Sequence, residues 1–211
     1  MNYATIKNCD IANGPGVRVS LFVSGYTHPC KGCFNEIAWD FDYGEPFTQK
    51  TIDSILQMLA PDYVQGLTLL GGEPFEPQNQ PAIVDLLRQI KKKYPNKSVW
   101  AFSGYLFDKD ILAGRLGPWE ITKEYISCLD VLVDGPFVET KKDLSLRFRG
   151  SSNQRIIDVP ASLKKGELVL WEDWQGHGKG IMDAGGKVVL PLEYAYVGPF
   201  DEKGYAFVAS A

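Results

Sequence analysis

The chain has 211 residues, 45% of them hydrophobic and 12% aromatic, with a formal charge of -4 at pH 7. A chain of this size buries roughly 70% of its unfolded surface, so one principal domain with a hydrophobic core is expected. The acidic balance argues against nucleic acid and anionic membrane as partners, and no apolar stretch approaches the ~20 residues of a membrane helix. Residues 1–7 are not a basic segment leading into an apolar signal core, so a cytoplasmic protein is expected. Four cysteines in such a compartment fit metal or redox chemistry better than a disulfide scaffold.

Short apolar runs alternate with helical periodicity along the chain, the pattern of βα units around a parallel sheet. The first strand is expected over residues 18–23. It leads into a loop carrying Cys30 and Cys33. Ile52, Ile55, Leu56 and Leu59 then recur at helical spacing, with Thr48 as N-cap and Pro61 beyond the end. Residues 67–70 read as a short buried strand ending in Gly71-Gly72-Glu73-Pro74. The next helix starts near Pro81, turns Ile83, Leu86, Leu87 and Ile90 inward, and closes on Lys91, Lys92 and Lys93. A strand over 98–102 precedes Ser103-Gly104-Tyr105. A weaker helical stretch, interrupted by Gly114, Gly117 and Pro118, leads to a strand over 130–134, and the runs 155–159 and 168–171 extend the sheet.

Functional groups in such a sheet gather at the carboxyl ends of the strands. Four motifs fall there: the cysteine loop, Gly71-Gly72-Glu73, Ser103-Gly104-Tyr105 and Asp134-Gly135. Two thiolates two residues apart chelate one metal centre. Paired glycines at a strand end let backbone approach a ligand closely, and Glu73 beside them is placed to accept hydrogen bonds from an ammonium group. A cysteine at position 26 would complete the spacing Cys-x3-Cys-x2-Cys, but the residue there is Tyr26. Cys9 and Cys128 read as ordinary semi-buried thiols.

The run from Asn13 through Gly14, Pro15, Gly16 and Val17 to Arg18, the Cys30-Lys31-Gly32-Cys33-Phe34-Asn35 loop and Trp39 carry a family resemblance, and Gly71-Gly72-Glu73-Pro74 continues it. So do the run from Val133 to Phe137 and Arg149-Gly150-Ser151-Ser152-Asn153-Gln154-Arg155. Together they resemble the anaerobic ribonucleoside-triphosphate reductase activating proteins, small radical S-adenosylmethionine enzymes, over nearly all of residues 1–175. The resemblance implies an incomplete (β/α) barrel, here of five or six strands. It also implies a 4Fe-4S cluster held by three cysteines, and reductive cleavage of S-adenosylmethionine at the open iron. The resulting 5′-deoxyadenosyl radical takes a hydrogen from a glycine of the partner reductase, and a one-electron donor such as reduced flavodoxin or ferredoxin supplies the cluster. By motif, Cys30 and Cys33 are cluster ligands, with Tyr26 where the family has its first cysteine and Cys9 or His28 as alternative ligands. Gly71, Gly72 and Glu73 contact the methionine end of the cofactor, Phe34 lies near the adenine, and Ser103, Asp134 and Asn153 belong to the pocket.

After Gln175 the composition shifts to a glycine-rich joint and a segment, 176–211, that resembles a single WG-type β repeat: a small β appendage on the activase domain of 1–175. Two other readings fit the residues. One is a cluster-deficient relative that only binds or regulates the reductase; the other is a cytosolic thiol-redox or zinc protein built on Cys30 and Cys33.

Overall fold

The computed structural model describes residues 1–27, 36–171, 179–182, 188–200 and 206–210. The chain divides into two compact units, Met1–Trp171 and Glu172–Ala211. The first unit is α/β. Its seven-stranded mixed sheet runs in the order β3-β1-β2-β4-β5-β6-β7 and does not close on itself. The strands are β1 (Asn2–Asp10), β2 (Val17–Val23), β3 (Glu45–Pro46), β4 (Val64–Gly71), β5 (Ser98–Phe102), β6 (Val131–Asp134) and β7 (Arg155–Asp158). Between them lie α1 (Gln49–Met58), α2 (Gln80–Lys93) and α3 (Trp119–Ser127), with α4 (Val159–Lys165) after β7.

Strands β2, β4, β5 and β6 are parallel, as βα crossovers require. Side chains alternate across them. Val19, Leu21, Leu67, Leu69, Val99, Ala101 and Leu132 face α1, α2 and α3, whose Ile52, Ile55, Ile83, Leu86, Leu87, Ile90 and Ile126 complete the main core. Each fully buried Leu or Ile there contributes about 2 kcal/mol. The opposite face holds a smaller cluster, Trp100, Val131 and Val133, against Phe102, Phe148, Ile156 and Trp171.

Arg18 sits on this second face, completely buried. Its guanidinium donates to Thr68 Oγ1 at 2.7 Å, Leu67 O at 2.7 Å and Ser98 Oγ at 2.9 Å, tying three strands together. Thr68 Oγ1 in turn donates to Asn13 O at 2.8 Å, which holds the loop before β2 in place. The segment 13–18, which carries part of the family resemblance, therefore anchors the amino ends of the strands, away from the four motifs.

Three expectations need correction. The first strand is β1, not residues 18–23: Asn2–Asp10 pairs antiparallel with β2, and the two-residue β3 pairs with its start. Its sequence is polar because much of it stays accessible, so it offers no apolar run to read. With these additions the sheet has seven strands, not five or six. Strand β7 does extend the sheet, but antiparallel to β6, and residues 168–171 contribute only the single bridge between Ile157 and Leu170. The helical stretch before β6 is interrupted as expected: a π-helical turn, Phe107–Ile111, precedes α3, and Gly114 and Gly117 adopt positive φ between them.

In the second unit β8 (Lys179–Met182), β9 (Val188–Phe200) and β10 (Ala206–Ser210) form an antiparallel sheet with β9 central. The first unit carries its apolar core within residues 1–171. Deleting residues 176–211 should therefore leave it folded, with a thermal midpoint within about 4 °C of the full chain, equivalent to roughly 1 kcal/mol. A larger fall, or insolubility of the shortened chain, would make the tail part of the fold.

Candidate functional site

A cleft of about 550 Å³ opens at the carboxyl ends of the parallel strands. Its floor is apolar: Phe22, Leu70 and Phe102 stand in adjacent registers of β2, β4 and β5 on the face away from the helices. Its rim is backbone-rich, formed by Gly71, Gly72, Glu73, Ser103, Gly104 and Gly135. Phe137, Leu144, Leu146 and Arg149 line it further, and Tyr26 and Trp39 belong to its wall. Residues of three of the four motifs read from the sequence, Gly71-Gly72-Glu73, Ser103-Gly104 and Gly135, thus meet at one cavity.

Glu73 is the charged centre of the rim. It is 1% exposed, its Oε1 accepts the Phe75 N–H at 2.8 Å and its Oε2 accepts the Gly104 N–H at 2.8 Å. Burial pushes its pKa up to about 7, and the neighbouring Glu76 adds to the rise, against the lowering effect of these hydrogen bonds. A carboxylate poised in this way gains from a cationic ligand, which would restore the charge stabilisation that water no longer gives.

The two glycines are required by packing as well as by any ligand. Gly71 has φ +113°, and a Cβ there would lie 2.6 Å from Val23 O; at Gly72 it would lie 2.5 Å from Gly25 O. Both therefore let β4 close against the segment leaving β2, where Gly72 N–H donates to Val23 O and Glu73 N–H donates to Gly25 O, each at 2.8 Å. This segment is the neck of the cysteine loop. Its other side is pinned to the short 3₁₀ turn Glu36–Trp39: Gly25 N–H donates to Ala38 O at 2.8 Å and Tyr26 N–H to Trp39 O at 3.1 Å.

Cys30, Cys33, Phe34 and His28 lie outside the described residues. Tyr26 is described and half-buried. Its phenol crosses the rim to lie against Gly104, where an added Cβ would meet the Tyr26 hydroxyl at 2.3 Å. Cys9 is exposed, contrary to the semi-buried reading, because it sits beside Asp10 on the outer strand pair. Asp10 pairs with Arg18 at the start of β2, which places Cys9 about 17 Å of strand away from Val23, too far to serve the loop. Cys128 is half-buried at the end of α3, just before β6, also at the amino end of the strands.

Ser103 lines the cleft, and its hydroxyl accepts the Tyr105 N–H at 3.1 Å. Asp134 is completely buried and fully engaged within the protein: it accepts from Phe107 N–H at 2.7 Å and from Arg155 Nε at 2.9 Å. Asn153 donates to Pro136 O at 2.8 Å and leaves its buried Oδ1 without a protein partner. Sequence reasoning missed Phe22, Leu70, Phe102, Phe137 and Arg149. The first three were accessible to it: two-residue alternation places the terminal residues of adjacent strands opposite the core set. Phe137 and Arg149 come from a loop with no periodicity to read.

The sequence matches the 4Fe-4S single cluster domain family over residues 12–157, which defines an iron–sulfur class of protein. It is 42% identical to the anaerobic ribonucleoside-triphosphate reductase-activating protein of Escherichia coli K12 over 156 residues, covering 73% of this chain and 96% of the relative. The protein of that name from Enterobacteria phage T4 is 40% identical over 156 residues, covering 74% and 93%. That from Pasteurella multocida is 40% identical over 158 residues, covering 74% and 96%. The chain belongs to the anaerobic ribonucleoside-triphosphate reductase-activating protein family. Among the described residues no helix is long and apolar enough to cross a membrane.

Proposed function

We propose that this chain is a radical S-adenosylmethionine activase for an anaerobic ribonucleoside-triphosphate reductase, working in the cytoplasm with reduced flavodoxin or ferredoxin as electron donor. The observation that carries the reading is the buried Glu73 beside Gly71 and Gly72 at the mouth of a cleft on the parallel strands, in a chain of this family. In this reading the open sheet is the incomplete barrel of the radical S-adenosylmethionine fold. When bound, a 4Fe-4S cluster supplies the electron that splits S-adenosylmethionine to methionine and a 5′-deoxyadenosyl radical, which takes a hydrogen atom from a glycine of the reductase.

The lining of the cleft supports this reading. Glu73 would accept from the cofactor's ammonium, Ser103 and the Gly104 backbone border the same corner, and Phe22, Leu70 and Phe102 would exclude water beneath it. By motif Phe34 is assigned to the adenine; Asn153, whose buried Oδ1 has no protein partner, stands beside the cleft lining without belonging to it, and Asp134 acts through the backbone it holds. The fit to the cluster is incomplete. Cys30 and Cys33 provide two thiolates, position 26 provides a phenol directed at Gly104, and no group of three His, Cys, Asp or Glu side chains among the described residues forms another metal site. This observation favours a second reading, in which the chain is a cluster-deficient relative that binds or regulates the reductase. The three-stranded second unit is read as a WG-like repeat that serves as an interaction element.

The test is anaerobic incubation of the reconstituted, chemically reduced chain and of Tyr26→Cys with S-adenosylmethionine and a class III reductase. The expected result is 5′-deoxyadenosine and a glycyl-radical signal on the reductase, strongest with Tyr26→Cys. An intact reduced cluster in Tyr26→Cys that yields neither product would reject the activase reading.

A further inference from the structure

Tyr26 has a place in the cleft that its position in the cysteine spacing does not explain. It follows β2, whereas Gly104 follows β5, and β4 lies between those strands. Two strand spacings amount to about 10 Å, so only a long side chain at position 26 can approach Gly104. The tyrosine does so: a Cβ added to Gly104 would collide with the Tyr26 hydroxyl and stand 3.6 Å from Glu73 Oε2. The phenol oxygen and the carboxylate therefore flank one small volume, kept open by the missing side chain at residue 104. Gly104 also donates its N–H to Glu73 Oε2 at 2.8 Å, which holds that oxygen at the edge of the same volume.

This corner is the polar end of a cleft whose floor, Phe22, Leu70 and Phe102, is apolar. Glu73 is 1% exposed there. A cationic donor on Oε2 would stand about 2.8 Å from it. Unbonded heavy atoms keep about 3.5 Å apart, so a phenol seated beside the same oxygen leaves the corner to one group at a time. The backbone beneath the ring is held: Tyr26 N–H donates to Trp39 O at 3.1 Å and Gly25 N–H to Ala38 O at 2.8 Å. Opening the corner therefore requires the side chain to rotate.

We infer that Tyr26 is a plug on the ammonium subsite: its phenol closes the corner between Glu73 and Gly104, so an amino-acid-like ligand enters only when the side chain swings out. Position 26 controls ligand access at Glu73 in addition to metal ligation, and a small residue there opens the corner without supplying a thiolate. The inference rests on the assignment of Glu73 to an ammonium group made in the proposed function.

The experiment uses the full chain in its iron-free form, so that ligation plays no part. The first readout is labelling of Glu73 by a water-soluble carbodiimide and an amine, followed by mass spectrometry, which needs no ligand. The second is the affinity for S-adenosylmethionine by calorimetry. Tyr26→Ala should raise both at least about tenfold, the gain expected when a site open a tenth of the time becomes open always. Labelling of surface carboxylates should not change. Tyr26→Phe keeps the ring and should stay close to the parent in both readouts. Adding Glu73→Ala to Tyr26→Ala should cancel the gain in affinity. Parent labelling of Glu73 in Tyr26→Ala would overturn the inference. So would weaker S-adenosylmethionine binding in Tyr26→Ala than in the parent, which would make the phenol a ligand contact. If Tyr26→Ala does not fold, Tyr26→Ser decides in its place by the same criteria. Raised labelling with no S-adenosylmethionine binding in any variant would count against the proposed function, while the closed corner stands on the labelling.

Discussion

Replacing Tyr26 with cysteine should bring the reconstituted chain from a low, unstable iron and sulfide content to the full complement of a 4Fe-4S cluster. Position 26 is fixed by the backbone: its N–H donates to Trp39 O at 3.1 Å, and the strand it extends is clasped by Gly72 and Glu73. A thiol at this position stays close to the neck, four residues before Cys30 in the chain. The phenol instead carries its oxygen across the rim to Gly104. Oxygen is also the harder donor, and iron–sulfur clusters select thiolate. No other thiol among the described residues can substitute, since Cys9 and Cys128 lie at the amino ends of the strands. Tyr26→Phe separates ligation from bulk. It should hold no more cluster than the parent if the phenol only fills space, and less if the oxygen binds iron. Equal iron, sulfide and reduced-state spin signals in the parent and Tyr26→Cys would reject the missing-ligand argument.

Glu73→Ala, made in the Tyr26→Cys background, should weaken S-adenosylmethionine binding by about a hundredfold while cluster content stays near that of Tyr26→Cys, because the lost group is a partner for an ammonium and not for iron. Calorimetry gives the affinity, and an unchanged value would remove Glu73 from the cofactor site. The pH dependence is a second signature. Below pH 4.5 the group is protonated in both folded and unfolded chains and contributes nothing to the difference between them. As pH rises from 4.5 through about 7 the unfolded chain releases this proton first, so the folded state loses stability across that window, by an amount on the order of 3 kcal/mol, and levels off above it. Glu73→Gln should abolish that slope in denaturant titrations. Cofactor binding runs the other way. A bound ammonium favours the carboxylate, so binding should release a proton near pH 6 and strengthen as pH rises toward 8, which calorimetry in buffers of different ionisation enthalpy measures directly.

Much of the α/β frame was legible locally. Strand β5 was expected over its observed residues, and α1 and α2 form where Ile52, Ile55, Leu56, Ile83, Leu86 and Leu87 recur at helical spacing. Thr48 occupies the N-cap position and Lys91, Lys92 and Lys93 the last turn of α2. The convergence of Glu73, Ser103 and Gly135 followed from the parallel βα order alone, since parallel strands deliver every strand end to the same edge.

The sequence by itself determined those elements, and the family, because hydrophobic period, capping and short motifs are written within a few residues of one another. Only the tertiary structure decided the rest. Strand β1 has no apolar run and exists through its pairing with β2; β7 turns antiparallel because it returns directly to β6 without a crossover helix. Asp134 reads as a pocket residue in the chain and its carboxylate is held by Arg155 and Phe107, while Glu76, which no motif marks, is buried and accepts from Thr27. Tyr26 likewise reveals the direction of its phenol only once β5 brings Gly104 beside it. In each case the deciding contact joins residues distant in sequence. Its energy depends on how the packed sheet excludes water around a polar group, which no local pattern records.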